Sequence, residues 1–178
     1  MKIRVADITE KTKSIDSVDA AGSYPALLQA QEAGECEFIE PVTASLSVVR
    51  EYDHIRVQGS VATKIMLSCS RCLCEFTSDI SSTFTIFYTK SSIAQPEDEV
   101  ELGEQDLISA TYSGDEIDFS NEVAEQVLLE LPYKPLCSEA CKGLCTSCGV
   151  DLNSSDCRCS SNAVSMVFSS LKGLKVQQ

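Results

Sequence analysis

Proline and glycine are scarce, 5 and 8 among 178 residues, which excludes a fibrous chain or a linker. No run of about 18 apolar residues occurs, so no membrane span is expected. The opening MKIRVADITEKTKSID has no apolar core and no cleavage site, so it does not read as a secretory signal. Acids among its bases argue against a transit peptide. Only one histidine exists, His54, beside Asp53 and between two strand-like stretches. A lone histidine in such a place reads as neither ligand nor base. There is no nucleophile elbow and no glycine-rich phosphate loop, since GSVATK at 59–64 lacks the glycines. These absences leave no small-molecule chemistry to expect. The chain reads as a binding or assembly protein and not as an enzyme.

Bases are also few. Net charge is −13, and its source is local. Between Glu97 and Glu139 there are 13 acids against one base, Lys134, whereas the stretch from Lys142 to Gln178 carries four bases and two acids. An acidic surface repels phosphate backbones, so any nucleic-acid contact must be local. The acidic span reads as a solubilising face or as a surface for a basic protein.

What is present is a core and a great deal of sulfur. Hydrophobic residues make up 43 % of the chain, enough for a real core. Ile3, Val5 and Ile8 predict a short strand near the start. Residues 9–34 read as a loop with one helical turn around Tyr24–Leu28. From Val42 the alternation is clear: Val42–Val48, Ile55–Leu67 (with Gly59 and Thr63 in step) and Phe76–Tyr88 (with serines at 78 and 82) follow a period of two. Three such strands without intervening helices imply an antiparallel sheet. Ser91–Gln105 reads as a loop. LISATY (107–112) and EIDF (115–118) are expected to pair as a hairpin across Ser113–Gly114. Val123, Val127, Leu128 and Leu131 share a helical face, with Ser120 placed as N-cap and Pro132 as the stop. Val164, Val167, Phe168 and Leu171 predict a short terminal helix. The expected fold is therefore α+β: an antiparallel sheet packed by one main helix over residues 1–135, then a cysteine-rich zinc-binding segment and short helix over 136–178.

Ten cysteines stand in a chain without a secretory signal. In a reducing, cytoplasmic setting, clustered cysteines bind metal more often than they form disulfides. Structural zinc takes four thiolate or imidazole ligands, and a C-x-x-C turn aims two sulfurs at one ion. CTSCG at 145–149 has this form, with Cys157 and Cys159 as partners for Cys145 and Cys148. Gly149, Asn153, Ser154, Ser155 and Asp156 let the chain double back between them. CSRC at 69–72 lies on the connection between the second and third strands. Its partners would be Cys137 and Cys141, tying the tail to that connection. In the rival pairing, Cys137 or Cys141 joins the C-terminal cluster and Cys69 and Cys72 stay unpaired. Two zinc ions are expected, with one as the minimum. Cys36 reads as a small, partly buried hydrophobe, and Cys74 as a side chain on the strand face or else a spare ligand near the first site. A four-cysteine iron–sulfur cluster would use the same ligands, but the glycine after C-x-x-C and the short loop suit zinc better. Redox catalysis by Cys69 and Cys72 would prefer a helix start, which a strand connection does not offer.

The order CSRCLCEF, then an acidic span, then VLLELPYKPLCSEACKGLCTSCGVDLNSSDCRC resembles the YceD family of large ribosomal RNA subunit accumulation proteins. The resemblance rests on the CxRC turn (Cys69, Arg71, Cys72), LLELP (128–132), KPLC (134–137) and CKGLCxxCGxxLN…CxC (141–159). Some members keep the CxRC turn together with a histidine and cysteine at the positions of Cys137 and Cys141, which implies the long-range pairing. After Cys159 this chain departs from the family's Asp-Pro and basic helix. The resemblance implies a cytoplasmic or plastid factor in ribosome biogenesis, binding ribosomal RNA or a basic ribosomal protein. A zinc-dependent thiol or metal sensor is the alternative function.

Overall fold

A computed structural model describes residues 1–91 and 109–159. Elements follow in the order β1 (Lys2–Arg4), β2 (Lys13–Asp19), α1 (Pro25–Glu32), β3 (Glu37–Phe38), β4 (Val42–Glu51), β5 (His54–Ser68), β6 (Glu75–Lys90), β7 (Ser109–Tyr112), β8 (Glu116–Asp118) and α2 (Ser120–Leu129). The chain forms two compact units. One comprises Met1–Leu67 with Phe76–Tyr133, the other Ser68–Glu75 with the chain from Lys134 on.

The first unit is built on a six-stranded sheet of order β2-β4-β5-β6-β7, with β3 paired to β5. Alternation decides which face is buried. Val42, Ala44, Leu46 and Val48 of β4 are buried, and so are Ile55, Val57, Val61, Ile65 and Leu67 of β5. Register sets Val48 opposite Val57 and Ala44 opposite Val61, so both strands send their apolar residues to one side. Leu27 of α1 and Val123, Ala124 and Val127 of α2 join Val42, Val61, Ile65 and Ile80 in one core cluster. A second cluster gathers Ile3, Leu46, Val57, Tyr88, Ile117 and Phe119.

The three long strands lie where their periodicity placed them, and α2 buries Val123 and Val127 as expected but ends at Leu129, so Leu131 lies past it and the helix stops short of Pro132. The all-antiparallel sheet with a single main helix does not hold in full. β7 runs parallel to β6, pairing Phe87–Lys90 with Ser109–Tyr112. β7 and β8 therefore form no hairpin; β8 pairs with β1 instead, bringing Ile3 opposite Ile117 in the second cluster. The turn at Gly114 is real, with φ +85, but it carries the chain from one sheet to another. α1 is a full eight-residue helix with proline in its first turn, the position where its missing N–H costs nothing. It buries only Leu27 and Ala30, so its apolar period is too brief to read. β2 is an edge strand whose Val18 is 66 % exposed, which erases the alternation expected of a strand. Ser120 opens α2 instead of capping it; Phe119 is the N-cap, and the Ser120 hydroxyl donates to Asp118 at 2.6 Å. Apart from Ser91, the loop read over Ser91–Gln105 lies outside the described residues, as does the terminal helix read over 163–174.

Gly59 faces Leu46 across the ladder. A Cβ there would stand 2.6 Å from Leu46 Cδ2 and would run into the ring of Phe84. The missing side chain is what lets the aromatic ring lie on the strand. Gly59→Val should lower unfolding free energy by about 1–3 kcal/mol through overpacking, read from urea denaturation. An unchanged midpoint would mean that Phe84 moves aside without cost.

Candidate metal centres

Nine of the ten cysteines fall in the second unit. It starts from two turns of one design. In Cys69–Cys72, the N–H of Leu73 donates to the Cys69 carbonyl at 2.9 Å, and the N–H of Cys69 donates to the Cys74 carbonyl at 2.9 Å. In Cys145–Cys148, the N–H of Gly149 donates to the Cys145 carbonyl at 2.8 Å, and the N–H of Cys145 donates to the Val150 carbonyl at 2.8 Å. The residue after the second cysteine must be left-handed in both turns, with φ +61 at Leu73 and +75 at Gly149. Glycine takes that conformation freely, whereas a leucine carries a backbone cost of roughly 1–2 kcal/mol.

The eight sequence-predicted ligands come together in two groups of four. Cys69, Cys72, Cys137 and Cys141 form one, and Cys145, Cys148, Cys157 and Cys159 the other, with all ligand sulfurs of a group within 4.8 Å of one another. The rival pairing, with Cys137 or Cys141 in the C-terminal cluster, is not the one seen. A tetrahedral ion with sulfurs at about 2.3 Å requires sulfur–sulfur separations of about 3.8 Å. The separations include 3.8 Å for Cys69–Cys141, 3.6 Å for Cys72–Cys137 and 3.5 Å for Cys148–Cys157, with Cys145–Cys157 closer at 3.2 Å. All ten cysteines are free, with none joined in a disulfide. Each group could hold a metal ion. They differ in exposure: Cys69, Cys72 and Cys141 are buried, whereas the second group alternates between half-buried and exposed.

Backbone dipoles charge one sulfur in each group. The N–H groups of Cys137, Cys72 and Arg71 hold the Cys69 thiol down at about 6, against its desolvation. The N–H groups of Cys148 and Ser147 hold Cys145 at about 6. Cys159 is pushed up to about 12 by hydrogen bonding with Cys157 and Cys148, and Cys137 is raised, first by burial and then by its thiol neighbours.

Three residues without sulfur complete the unit. Arg71 donates from Nη1 to the carbonyls of Cys141 at 2.8 Å and Glu139 at 3.3 Å, and its own carbonyl accepts from the N–H of Leu144 at 3.1 Å. Gly143 lies against Arg71 at φ +74, where an added Cβ would stand 3.0 Å from the Arg71 carbonyl oxygen. The Asn153 side-chain amide donates to the Cys141 sulfur at 3.5 Å and to Asp151 Oδ1 at 2.7 Å, and its oxygen accepts from the N–H of Lys142 at 2.8 Å. In the sequence Arg71 stands only as part of the CxRC turn and Asn153 as a turn former. Neither role in the bracing is visible without knowing which strand connection meets the tail.

The leftover residues separate. Cys36 is buried in the first core cluster, as a small hydrophobe should be, and burial raises its thiol. Cys74 is exposed in the turn, its sulfur 3.1 Å from that of Cys72. His54 belongs to the first unit, edge-on to Phe87 at 5.3 Å, with Asp53 at 3.1 Å and Glu51 at 3.5 Å.

The profile of the family described as "Large ribosomal RNA subunit accumulation protein YceD" matches residues 57–175. A chloroplastic protein of Arabidopsis thaliana named "Large ribosomal RNA subunit accumulation protein YCED homolog 1" is 28 % identical over 158 residues, 77 % of this chain and 49 % of its own length. The protein of the same name from Zea mays is 29 % identical, covering 75 % of this chain and 53 % of its own. An uncharacterized protein of Mycobacterium tuberculosis is 32 % identical over 102 residues, 56 % of this chain and 46 % of its own. This chain thus spans about half the length of the curated relatives it matches. No solved structure is significantly similar to it. Among the described residues, no helix is long and apolar enough to cross a membrane.

Loading the groups with a divalent ion at pH 7 should release fewer than four protons per ion, because Cys69 and Cys145 are already ionised. Both regain a proton as pH falls through about 6, so the release should rise and the affinity fall more steeply below that point. Calorimetry in buffers of different ionisation enthalpy measures this; four protons per ion at pH 7 would contradict it. Asn153→Ala removes the hydrogen bond to Cys141 and should weaken the first group by about 10–100-fold in chelator competition, leaving the second group unchanged.

Proposed function

Since the chain belongs to the YceD family, the large ribosomal RNA subunit accumulation proteins, we propose that it is a non-catalytic factor in ribosome biogenesis that supports accumulation of large-subunit ribosomal RNA. It acts by binding RNA or a basic ribosomal protein, and it uses two structural zinc ions, one held by Cys69, Cys72, Cys137 and Cys141 and the other by Cys145, Cys148, Cys157 and Cys159. The observation that carries this reading is the closure of both groups: each offers four sulfurs within 4.8 Å of one another. Four protein ligands leave no position for water or substrate, the mark of a structural and not a catalytic ion. Bound zinc would supply a cross-link and no chemistry. Arg71, Gly143 and Asn153 would set the ligand loops before the ion arrives.

Charge favours a protein partner over naked RNA. The chain carries −13, and four thiolates around a dication add about −2 for each group beyond the neutral thiols. The Arg71 guanidinium is engaged with two carbonyls. A basic ribosomal protein is complementary to such a surface. We place the chain where large subunits are assembled, in the cytoplasm or, as the names of the plant relatives suggest, in a chloroplast.

A second reading, a thiol or metal sensor, draws on Cys74, an exposed sulfur 3.1 Å from a candidate ligand. Zinc loss under mild hydrogen peroxide together with a change in partner binding would favour the sensor; unaltered zinc content would favour the structural role.

Purified chain should contain two zinc ions by elemental analysis. Cys72→Ser and Cys148→Ser should each lose about one. Immobilised wild-type chain should retain proteins from purified large ribosomal subunits at low salt and release them as salt rises. No retention at low salt would remove the protein partner, and loss of both ions from either variant would contradict two independent sites.

A further inference from the structure

Five sulfurs, not four, gather at the connection between β5 and β6. Beside Cys69, Cys72, Cys137 and Cys141 stands Cys74, whose sulfur lies 3.1 Å from that of Cys72. A tetrahedral shell has room for four of them. Cys74 is also the exposed one: Cys69, Cys72 and Cys141 are buried and Cys137 is half-buried. Its place is fixed by the backbone. Leu73, left-handed at φ +61, turns the chain between Cys72 and Cys74, and the Cys69 N–H donates to the Cys74 carbonyl at 2.9 Å. The second group gives the contrast. Its Cys148 and Cys159 are themselves exposed, and the one cysteine left over, Cys36, is buried in the first core cluster. The surplus sulfur thus stands beside the group whose ligands are shut away from solvent.

We propose that Cys74 is the exchange ligand of the first group: it takes a zinc ion over from Cys72 and so passes the ion between the buried sulfurs and solvent. This rests on the two-zinc reading and adds how the buried ion enters and leaves. A closed four-sulfur site has no open position. An ion therefore leaves either by a path on which each lost sulfur is replaced, or by one on which a bond breaks with no replacement. The second path strands a dication short of a ligand away from water, which is costly. Cys74 provides the first path. The bond from zinc to the Cys74 sulfur forms as the bond to Cys72 breaks. The electron pair of the broken bond stays on the Cys72 sulfur, which takes the proton that Cys74 sheds. Coordination number and charge are the same before and after, and nothing is oxidised or reduced. Because the two sulfurs already stand 3.1 Å apart, the incoming ligand is intramolecular and needs no encounter. The ion is then held by one exposed sulfur, where an incoming thiolate or chelator reaches it. At rest it stays with Cys72, whose turn aims Cys69 and Cys72 at one point. Cys74 thus governs the rate of exchange and not the affinity.

The test follows zinc transfer from the full, zinc-loaded chain, kept in reductant, to an excess of a chromogenic chelator. Zinc content and affinity by chelator competition are measured beside it. Wild type, Cys74→Ser and Cys74→His are compared. Each is measured alone and with Cys148→Ser added, which removes the second group's ion and leaves one signal. Cys74→Ser should keep the wild-type zinc content and affinity yet release the first group's ion about tenfold more slowly. The second group's ion should leave at the wild-type rate. Cys74→His, which keeps a zinc ligand at this position, should restore the wild-type rate. Equal rates for wild type and Cys74→Ser would overturn the proposal and leave the two-zinc reading standing, as would a histidine variant as slow as the serine one. Loss of the first ion from Cys74→Ser would make Cys74 a resident ligand and overturn the proposal as well. A wild-type chain that holds no zinc would overturn both.

Discussion

The second unit depends on bringing Cys69 and Cys72 to Cys137 and Cys141. The sulfurs of Cys69 and Cys141 are 72 residues apart in sequence and 3.8 Å apart in space. Closing so long a loop is entropically costly, though the cost grows only slowly with length. In an unfolded chain the four thiols are scattered, so any ion that gathers them contributes its binding energy to folding. The connection that carries Cys69 and Cys72 joins the two longest strands, of 15 and 16 residues. The tail is thereby committed to a turn whose ends are continuous with β5 and β6.

Hydrogen bonds to backbone prepare this closure. Arg71 and Gly143 interlock: one side of Arg71 reaches the Glu139 and Cys141 carbonyls, and its own carbonyl takes the N–H of Leu144, against a glycine that leaves room for it. Asn153 links the two cysteine groups through Cys141 and Lys142. Among the described residues the result is a small body with little apolar core, braced by backbone hydrogen bonds and one guanidinium around the cysteine groups. Units of this kind commonly need a metal or disulfide to persist.

Much of this was legible in sequence where a physical period was strong. β4 and β5 announced themselves by alternation because one face of each is buried, β6 by a weaker alternation in which only Ile80 and Tyr88 are buried, and α2 by Val123 and Val127 on one side. Cys69 with Cys72 and Cys145 with Cys148 were legible as C-x-x-C turns, whereas Cys137 with Cys141 and Cys157 with Cys159 follow other spacings, and spacing alone left the long-range pairing open. What escaped has physical reasons. β2 is an edge strand with an exposed valine, α1 buries two residues, and β7 and β8 read alike whether they pair with each other or apart. Strand direction and partner are set by long-range packing, which local pattern does not encode. Nothing in the sequence singles out Leu73 within the connection between β5 and β6; only its φ of +61 shows that it takes the left-handed conformation glycine favours.

The central claim, two ions each enclosed by four sulfurs, is tested most directly by X-ray absorption at the zinc edge on the full-length chain prepared in reductant. The account predicts a single shell of four sulfurs at about 2.3 Å, with no light-atom ligand and no second metal at cluster distance. A shell with fewer than four sulfurs per ion, or iron at the same sites with a short metal–metal vector, would contradict it.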